Sequence, residues 1–215
     1  MNCSDEFLKV RHEVDSRVEI VVVTKTVTSA LIQSILDAGA ISIGENRVQE
    51  AKEKFPQIRF GSVSRHLIGH LQSNKVTVAV ALFDWIQSID SESLLIKIDG
   101  AAGRLSKRIF GLLQVNVADD SDKFGMSVTE FRRIVETGRL NQCSWVSVRG
   151  IMVIAPLDLN DSELRNFFKK SREQFEWLCR YFPHMDTLSM GMSQDYQIAI
   201  EEGATMVRIG SKIFK

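Results

Sequence analysis

Short apolar runs alternate with polar, helix-like stretches along the whole chain. The first clear run, Ile-Val-Val-Val at residues 20–23, is continuous and rich in β-branched residues, a pattern typical of a strand buried on both faces. Similar short runs recur and predict eight strands, placed at 18–24, 40–43, 65–68, 85–89, 111–117, within 145–154, at 187–190 and at 205–209.

Segments with helical periodicity lie between these runs, and several end at a glycine, which suits a helix C-terminus. They predict helices at 2–15, 28–38, 47–54, 75–82, 92–97 with a continuation towards 108, 127–137, 162–181 and 193–202. The alternation favours an α/β fold, a (β/α)₈ TIM barrel with an N-terminal leading helix, forming one domain over residues 1–215. A doubly wound open sheet is the alternative.

Charge and cysteine content narrow the classes of function. The chain has 27 basic and 27 acidic residues, so it lacks the global positive field that attracts nucleic acid or anionic membranes. Its three cysteines are widely spaced and form no CxxC pair, which indicates reduced thiols. No signal peptide or apolar stretch of about 20 residues is evident. We expect a cytoplasmic protein, acting as a monomer, with no nucleic-acid or membrane partner.

Lys25 is the first candidate for chemistry, because it follows the first strand and active sites of barrels lie at the carboxyl ends of the strands. A lysine whose stem packs in an apolar wall and whose amine is desolvated becomes nucleophilic and forms an imine with an aldehyde. The alternative interpretation is a solvated lysine in a surface loop.

The ends of the last two strands predict a phosphate cradle. Ser189 offers a hydroxyl, Gly191 allows backbone N–H groups to approach an anion, and Ser193 looks like the N-cap of the next helix. Gly210 and Ser211 follow the last strand, where barrels often bind phosphate. An ordinary capped turn is the alternative.

Strand 8 neighbours strand 1 in a closed barrel, so Lys25 should converge with Ser189, Gly210 and Ser211. Arg208 lies within the last strand and, if it points inward, places a fixed cation against a ligand ring or carboxylate.

Two further groups follow the second and third strands. Glu45 or Asn46 could cap the next helix or face a ligand, and residues 72–74 are expected to cap the helix after them. His66 and His70 have the spacing of a zinc pair on a helix, but no third ligand is near, so we predict no metal site and treat His66 as a wall residue.

An amine beside a phosphate cradle fits two chemistries. One is an aldolase that forms a Schiff base with a sugar phosphate, and the other is a protein that binds pyridoxal 5′-phosphate, whose aldehyde and phosphate need the same two features.

The same residues resemble the pyridoxal phosphate homeostasis protein family. The matching blocks occur in the family's order from near residue 20 to the C-terminus: 22–26 (VVTKT), 43–50 (IGENRVQE), 66–75 (HLIGHLQSNK), 88–90 (SID), 114–116 (QVN), 123–125 (KFG), 149–152 (RGIM), 188–193 (LSMGMS) and 207–210 (VRIG). Two departures are Arg65, where an aromatic residue is common, and the end at Phe214-Lys215, where the family runs on through a glycine and a short tail.

The resemblance implies a barrel like the N-terminal domain of alanine racemase, with pyridoxal 5′-phosphate bound as a Schiff base on Lys25. It implies phosphate contacts from the 189–191 segment (Ser189, Met190, Gly191) and from Gly210 and Ser211. Asn46 and His66 would line the pocket, and Arg208 would face the pyridine nitrogen. An arginine there leaves that nitrogen unprotonated and weakens the ring as an electron sink.

We therefore expect a carrier that stores and transfers the cofactor, and that serves apo-enzymes depending on it, with an indirect effect on amino-acid metabolism. A two-base racemase needs a second acid, usually a tyrosine from a second domain. Tyr181 and Tyr196 lie at predicted helix ends and not after a strand, and we expect no second domain. A racemase of low activity is the alternative.

Overall fold

The computed structural model describes residues 2–120 and 124–214, and within them nine strands are present. In chain order they are β1 Glu19–Val23, β2 Ser42–Glu45, β3 Ser64–Leu67, β4 Trp85–Ile89, β5 Ile109–Asn116, β6 Met126–Ser127, β7 Val146–Met152, β8 Thr187–Met192 and β9 Met206–Ile209.

Eight of these strands form a closed parallel barrel. The order is β4-β3-β2-β1-β9-β8-β7-β5, and β4 pairs with β5 to complete the ring. The two-residue β6 pairs only with the end of β5 and lies outside the ring. The predicted (β/α)₈ barrel is confirmed, and the open doubly wound sheet is wrong.

The α-helices described are α1 Cys3–Glu13, α2 Ser29–Asp37, α3 Val48–Lys54, α4 Val76–Leu82, α5 Glu92–Arg104, α6 Val128–Glu136, α7 Asp161–Tyr181 and α8 Tyr196–Glu201. The leading helix α1 lies between α8 and α2, because Glu13 accepts hydrogen bonds from Tyr196 and Lys212 while Ser4 donates to the backbone of Ser34.

Element boundaries differ most at the end of β8. The strand continues to Met192, two residues beyond the prediction, and α8 begins at Tyr196 instead of residue 193. Asp195 Oδ1 accepts the backbone N–H of Met192, so the residues between strand and helix form a turn. In contrast, α5 extends well past residue 97, as its predicted continuation allowed.

The strands bury side chains on both faces, which explains their continuous apolar runs. The outer face packs against the helices and forms the main hydrophobic core. Inside the barrel a smaller apolar cluster of Val21, Leu112, Met152 and Met206 lies beside buried polar groups, including Gln87 and Arg208. The barrel interior therefore contains buried polar side chains beside this apolar cluster.

Within the described residues, no helix is both long enough and apolar enough to cross a membrane.

Candidate functional site

A cavity of about 440 Å³ opens at the carboxyl ends of β1, β8 and β9. Four predicted residues line it: Lys25 from β1, Arg208 from β9, and Gly210 and Ser211 from the turn after β9. A volume of this size is typical of a small-molecule site. The predicted convergence of the first and last strands is therefore present in the structure.

The turn after β9 presents backbone donors to one oxygen. Ser193 Oγ accepts the N–H of Gly210 at 3.1 Å and that of Lys212 at 3.4 Å. A Cβ on Gly210 would lie 3.0 Å from Cβ of Val23 and 3.1 Å from its carbonyl oxygen, so a glycine here lets the turn pack closely against β1. The expectation that Ser193 caps α8 is wrong, because its hydroxyl is bound to this turn and Asp195 occupies the N-cap position.

Lys25 lies on the cavity wall but is exposed. Its exposure agrees with the alternative of a solvated lysine in the loop, since the side chain leaves β1 at its open end. Among the described residues its amine has no hydrogen-bond or ion-pair partner.

The backbone around Lys25 is held in place from behind. Thr26 has a φ of +61°, in the left-handed region that β-branched residues rarely adopt. Its N–H donates to Glu50 at 3.3 Å, and Lys54 Nζ donates to the carbonyl of Thr24 at 3.0 Å. These contacts fix both neighbours of Lys25.

Lys54 also forms an ion pair with Glu45 at 3.0 Å, in which the Glu45 side chain is fully buried. Glu45 Oε1 accepts the hydroxyl of Thr24 as well, while Oε2 has no hydrogen-bond partner among the described residues. Burial raises the pKa of the Glu45 carboxyl, and the contacts with Thr24 and Lys54 oppose that rise. The expectation that Glu45 or Asn46 caps α3 is wrong, because Arg47 is its N-cap and makes no side-chain cap bond.

Arg208 points inward, as predicted, and is 4% exposed. Its Nη1 donates to Ser189 Oγ at 2.6 Å and its Nη2 to the carbonyl of Val153 at 2.8 Å. Burial lowers the pKa of the Arg208 guanidinium to about 10, against the opposing effect of Asp195, so the group stays charged at neutral pH.

The other predicted residues of β8 lie deeper than the cavity wall. Ser189 is fully buried against Arg208, and Met190 is fully buried in the hydrophobic core. Gly191 has a φ of +93°, and a Cβ there would lie 2.6 Å from Cβ of Ala199, so this glycine permits close packing against α8. None of these three residues lines the cavity that contains Lys25.

Asn46 and His66 lie apart from this cavity. Asn46 lines a neighbouring cavity of about 320 Å³ together with His70, and its Oδ1 is buried without a hydrogen-bond partner among the described residues. His66 is fully buried inside the barrel, where its Nδ1 lies 2.9 Å from Gln87 Nε2.

His66 and His70 do not form a pair, because His70 contacts Asp90 at 3.0 Å on the rim. Across residues 2–120 and 124–214 no group of three or more His, Cys, Asp or Glu side chains is placed to hold a metal ion. Residues 73–75 form a 3₁₀ turn, and α4 has no side-chain cap, so the capping expectation for residues 72–74 is wrong.

Sequence reasoning missed several residues of the site. Met192 and Gln194 line the cavity, and Gln87 connects His66 to Ser189 inside the barrel. Met192 ends β8 and Gln194 lies in the turn after it, so a correct end for that strand would have found them. Gln87 has no local signal. Lys123 of the 123–125 block lies outside the described residues.

Comparison with known proteins adds to this geometry. No protein-family model matches the chain. The pyridoxal phosphate homeostasis protein of Haemophilus influenzae is 36% identical over 202 residues, covering 92% of this chain and 84% of the relative. That of Escherichia coli K12 is 33% identical over 204 residues, covering 92% and 85%.

Solved structures agree. PipY of Synechococcus elongatus PCC7942 is 36% identical and covers 99% of this chain and 100% of its own, with a TM-score of 0.95 without PLP and 0.93 with PLP bound. The alanine racemase of Clostridium difficile 630 is 12% identical with a TM-score of 0.78, and 56% of its chain is covered, so it shares the fold alone.

The structure thus defines a (β/α)₈ barrel protein with the fold of the alanine racemase barrel and an exposed lysine beside a turn of backbone N–H donors. The chain belongs to the pyridoxal phosphate homeostasis protein family.

Proposed function

We propose that this protein binds pyridoxal 5′-phosphate in the cavity between β1, β8 and β9 and takes part in intracellular homeostasis of that cofactor. One observation carries the proposal: the amine of Lys25, which has no partner in the part of the chain that the structure describes, shares a cavity with a turn whose N–H groups converge on one oxygen. Family membership and the PLP-bound structure of PipY support it.

The donors present fit this cofactor. Its phosphate oxygens are acceptors of the same kind as Ser193 Oγ, which already receives the N–H groups of Gly210 and Lys212. The hydroxyl of Ser211 lies on the same cavity wall, and the charged guanidinium of Arg208 lies at its buried side. Backbone and hydroxyl donors of this type suit a phosphate group, and the guanidinium suits an acceptor on the ring.

When bound, pyridoxal 5′-phosphate would supply an aldehyde that is reactive towards amines. Lys25 would hold it covalently through Nζ. Gly210, Ser211 and Ser193 would hold the phosphate, and Arg208 would donate to the ring nitrogen.

The remaining candidates stay predictions: Asn46 and His66 as pocket residues, and Ser189, Met190 and Gly191 as phosphate contacts. Asn46 has the clearest support, since its unpartnered Oδ1 is available to a ligand donor.

The placement of the tyrosines favours a carrier over a racemase. Tyr196 donates its hydroxyl to Glu13 and accepts from Lys212, and Tyr181 lies exposed at the end of α7 beside Trp177. Neither side chain lines the cavity that contains Lys25, so neither supplies the second acid of a two-base reaction. The exposure of Lys25 suits exchange of the cofactor with solvent or with another protein.

We further propose that the protein acts in the cytoplasm as a monomer and transfers the cofactor to apo-enzymes that depend on it. The three cysteines are free thiols, which suits a reducing compartment.

The test is an absorbance titration of the protein with pyridoxal 5′-phosphate, followed by borohydride reduction and peptide mapping. We expect a saturable visible band, with the reduced adduct on Lys25. Lys25→Ala should lose both the band and the adduct. Lys52→Ala, which removes another exposed lysine, should retain both.

A wild-type protein that forms no band would refute the proposal and favour the aldolase. Adducts scattered over many lysines would refute the assignment of Lys25. Turnover of D- or L-alanine that depends on Lys25 would favour the racemase of low activity.

A further inference from the structure

Four buried polar side chains form a continuous chain of hydrogen bonds across the barrel interior. Arg208 Nη1 donates to Ser189 Oγ at 2.6 Å, Ser189 Oγ donates to Gln87 Oε1 at 2.8 Å, and Gln87 Nε2 lies 2.9 Å from His66 Nδ1. Each of the four side chains is 4% exposed or less. The chain links β9, β8, β4 and β3.

The direction of the bonds in this chain follows from two groups: the guanidinium of Arg208 has donors only, and Met206 Sδ, 3.1 Å from Gln87 Nε2, can only accept. Ser189 Oγ accepts from Arg208, and because Gln87 Nε2 faces the sulfur, Gln87 Oε1 accepts the proton of Ser189. The amide nitrogen of Gln87 then faces His66, so Nδ1 accepts and the imidazole proton is on Nε2. Burial lowers the pKa of His66 to about 3, which agrees with a neutral ring.

The amide of Gln87 has a donor end and an acceptor end, and its contact with Met206 opposes a flip. Its Oε1 accepts from Ser189, while its Nε2 donates to His66 Nδ1 and to Met206 Sδ at 3.1 Å. A flipped amide would turn its oxygen towards this sulfur, which can only accept. It would also require the hydroxyl of Ser189 to rotate and His66 to change tautomer.

We propose that Gln87 is a positioning residue that orients the Arg208 guanidinium towards the cavity through Ser189 and holds His66 as the neutral Nε2–H tautomer. The part concerning Arg208 rests on the proposed function, because Arg208 is there the donor to the ring nitrogen. Ser189 is accordingly a support for Arg208, with its proton committed to Gln87, and not primarily a phosphate ligand.

The first test uses the protein without pyridoxal 5′-phosphate, so that it is independent of the proposed function. Long-range ¹H–¹⁵N NMR of histidine-labelled protein, with His66 assigned through His66→Gln, should show a single neutral tautomer protonated at Nε2. A proton on Nδ1 in the wild type would overturn the proposed polarity. This measurement needs no variant of Gln87 that folds.

The second test compares two variants of Gln87. Gln87→Glu keeps the acceptor for Ser189 but offers no N–H to His66, so His66 should become protonated and titrate at higher pH. Gln87→Leu removes both contacts and should weaken binding of pyridoxal 5′-phosphate roughly tenfold, with a shifted visible band, because a positioning hydrogen bond is lost.

Ser88→Ala is the matched control. Ser88 is the next residue of β4, is fully buried, and has a hydroxyl without a hydrogen-bond partner among the described residues. It should leave the His66 tautomer, the visible band and the affinity unchanged. If Gln87→Leu binds the cofactor with wild-type affinity and spectrum, the positioning role is refuted. If the wild type binds no cofactor, the proposed function is refuted, and the tautomer of His66 is then judged from the NMR measurement alone.

Discussion

The two sides of the barrel mouth treat polar groups in opposite ways. On the side of β1 and β9, Lys25 is exposed and its amine has no partner among the described residues, while the N–H groups of Gly210 and Lys212 share one serine oxygen. On the side of β3 and β4, His66 and Gln87 are buried and bonded in a chain that reaches Arg208.

The two sides therefore suit different roles: the open side can bind and release a ligand, and the buried side holds its side chains in fixed positions. Groups that bind and release a ligand must be accessible, as the Lys25 amine on the open side is. The side chains on the other side are buried and joined by hydrogen bonds, because an unpaired polar group inside a protein is costly. Of the atoms of that chain, His66 Nε2 has no hydrogen-bond partner among the described residues and lies 3.6 Å from Glu19 Oε1. Arg208 belongs to both sides, since it lines the cavity and ends the buried chain.

The largest effect is expected where the open side depends on a buried ion pair. Lys54→Met removes the partner of the fully buried Glu45 carboxylate and the donor to the carbonyl of Thr24. We expect a loss of about 3 kcal/mol in the free energy of unfolding, measured in urea. Attachment of pyridoxal 5′-phosphate to Lys25 should weaken as well.

Two further variants separate charge burial from other causes. Adding Glu45→Gln to Lys54→Met should restore part of the stability, because no uncompensated carboxylate is left buried. Breaking the exposed pair Arg172–Glu176, each 53% exposed, with Arg172→Met should change stability by no more than about 0.5 kcal/mol. Equal losses in the buried and exposed pairs would contradict this account.

The buried side of the barrel should make the free energy of unfolding sensitive to acid. The pKa of His66 is lowered from 6.5 to about 3, chiefly by burial. Between these values the unfolded chain binds a proton that the folded protein does not, so stability falls as pH drops through that window. The slope should approach about 1.4 kcal/mol per pH unit and vanish above the upper value.

Urea unfolding of the wild type and of His66→Gln between about pH 4 and about pH 7 checks this expectation. Carboxylates that do not contact His66 titrate alike in both proteins and cancel in their difference, whereas Glu19, whose Oε1 lies 3.6 Å from His66 Nε2, belongs to the effect measured. The stability of the wild type relative to the variant should therefore decline as the solution becomes more acidic. If the free energies of unfolding of the two proteins changed equally with pH, His66 would titrate normally and the barrel interior would not exclude solvent from it.

Much of the fold and half of the site follow from local sequence patterns. The β-branched runs predict the eight barrel strands, and the rule that strand ends converge predicts that Lys25, Gly210 and Ser211 share a cavity. The predictions that failed concern features that depend on contacts between distant segments. Ser193 has the residue type of a helix cap, but the N–H of Gly210 competes for its hydroxyl.

The chain through Gln87 could not be predicted for the same reason. Its bond to Ser189 spans 102 positions, and no pattern around residue 87 indicates that its side chain crosses the barrel. The exposure of Lys25 likewise depends on how β1 ends, which residue type alone does not determine. The assignment to one domain over residues 1–215 stays a prediction.

The smallest effect is expected at the strained residue beside Lys25. Thr26 has a φ of +61°, a conformation that glycine adopts without the steric cost paid by threonine. Thr26→Gly should therefore leave the free energy of unfolding unchanged or raise it by up to about 1 kcal/mol. The gain is limited because glycine also increases the entropy of the unfolded chain. Attachment of pyridoxal 5′-phosphate should nevertheless slow several-fold, because the segment that presents Lys25 becomes looser.

Ser106→Gly is the matched control. Ser106 has a φ of +48° in the turn after α5, away from the carboxyl ends of the strands, and the variant should gain similar stability without altering attachment. Stopped-flow absorbance after mixing with the cofactor measures the rate, and equal rates in the two variants would show that strain at Thr26 has no part in placing Lys25.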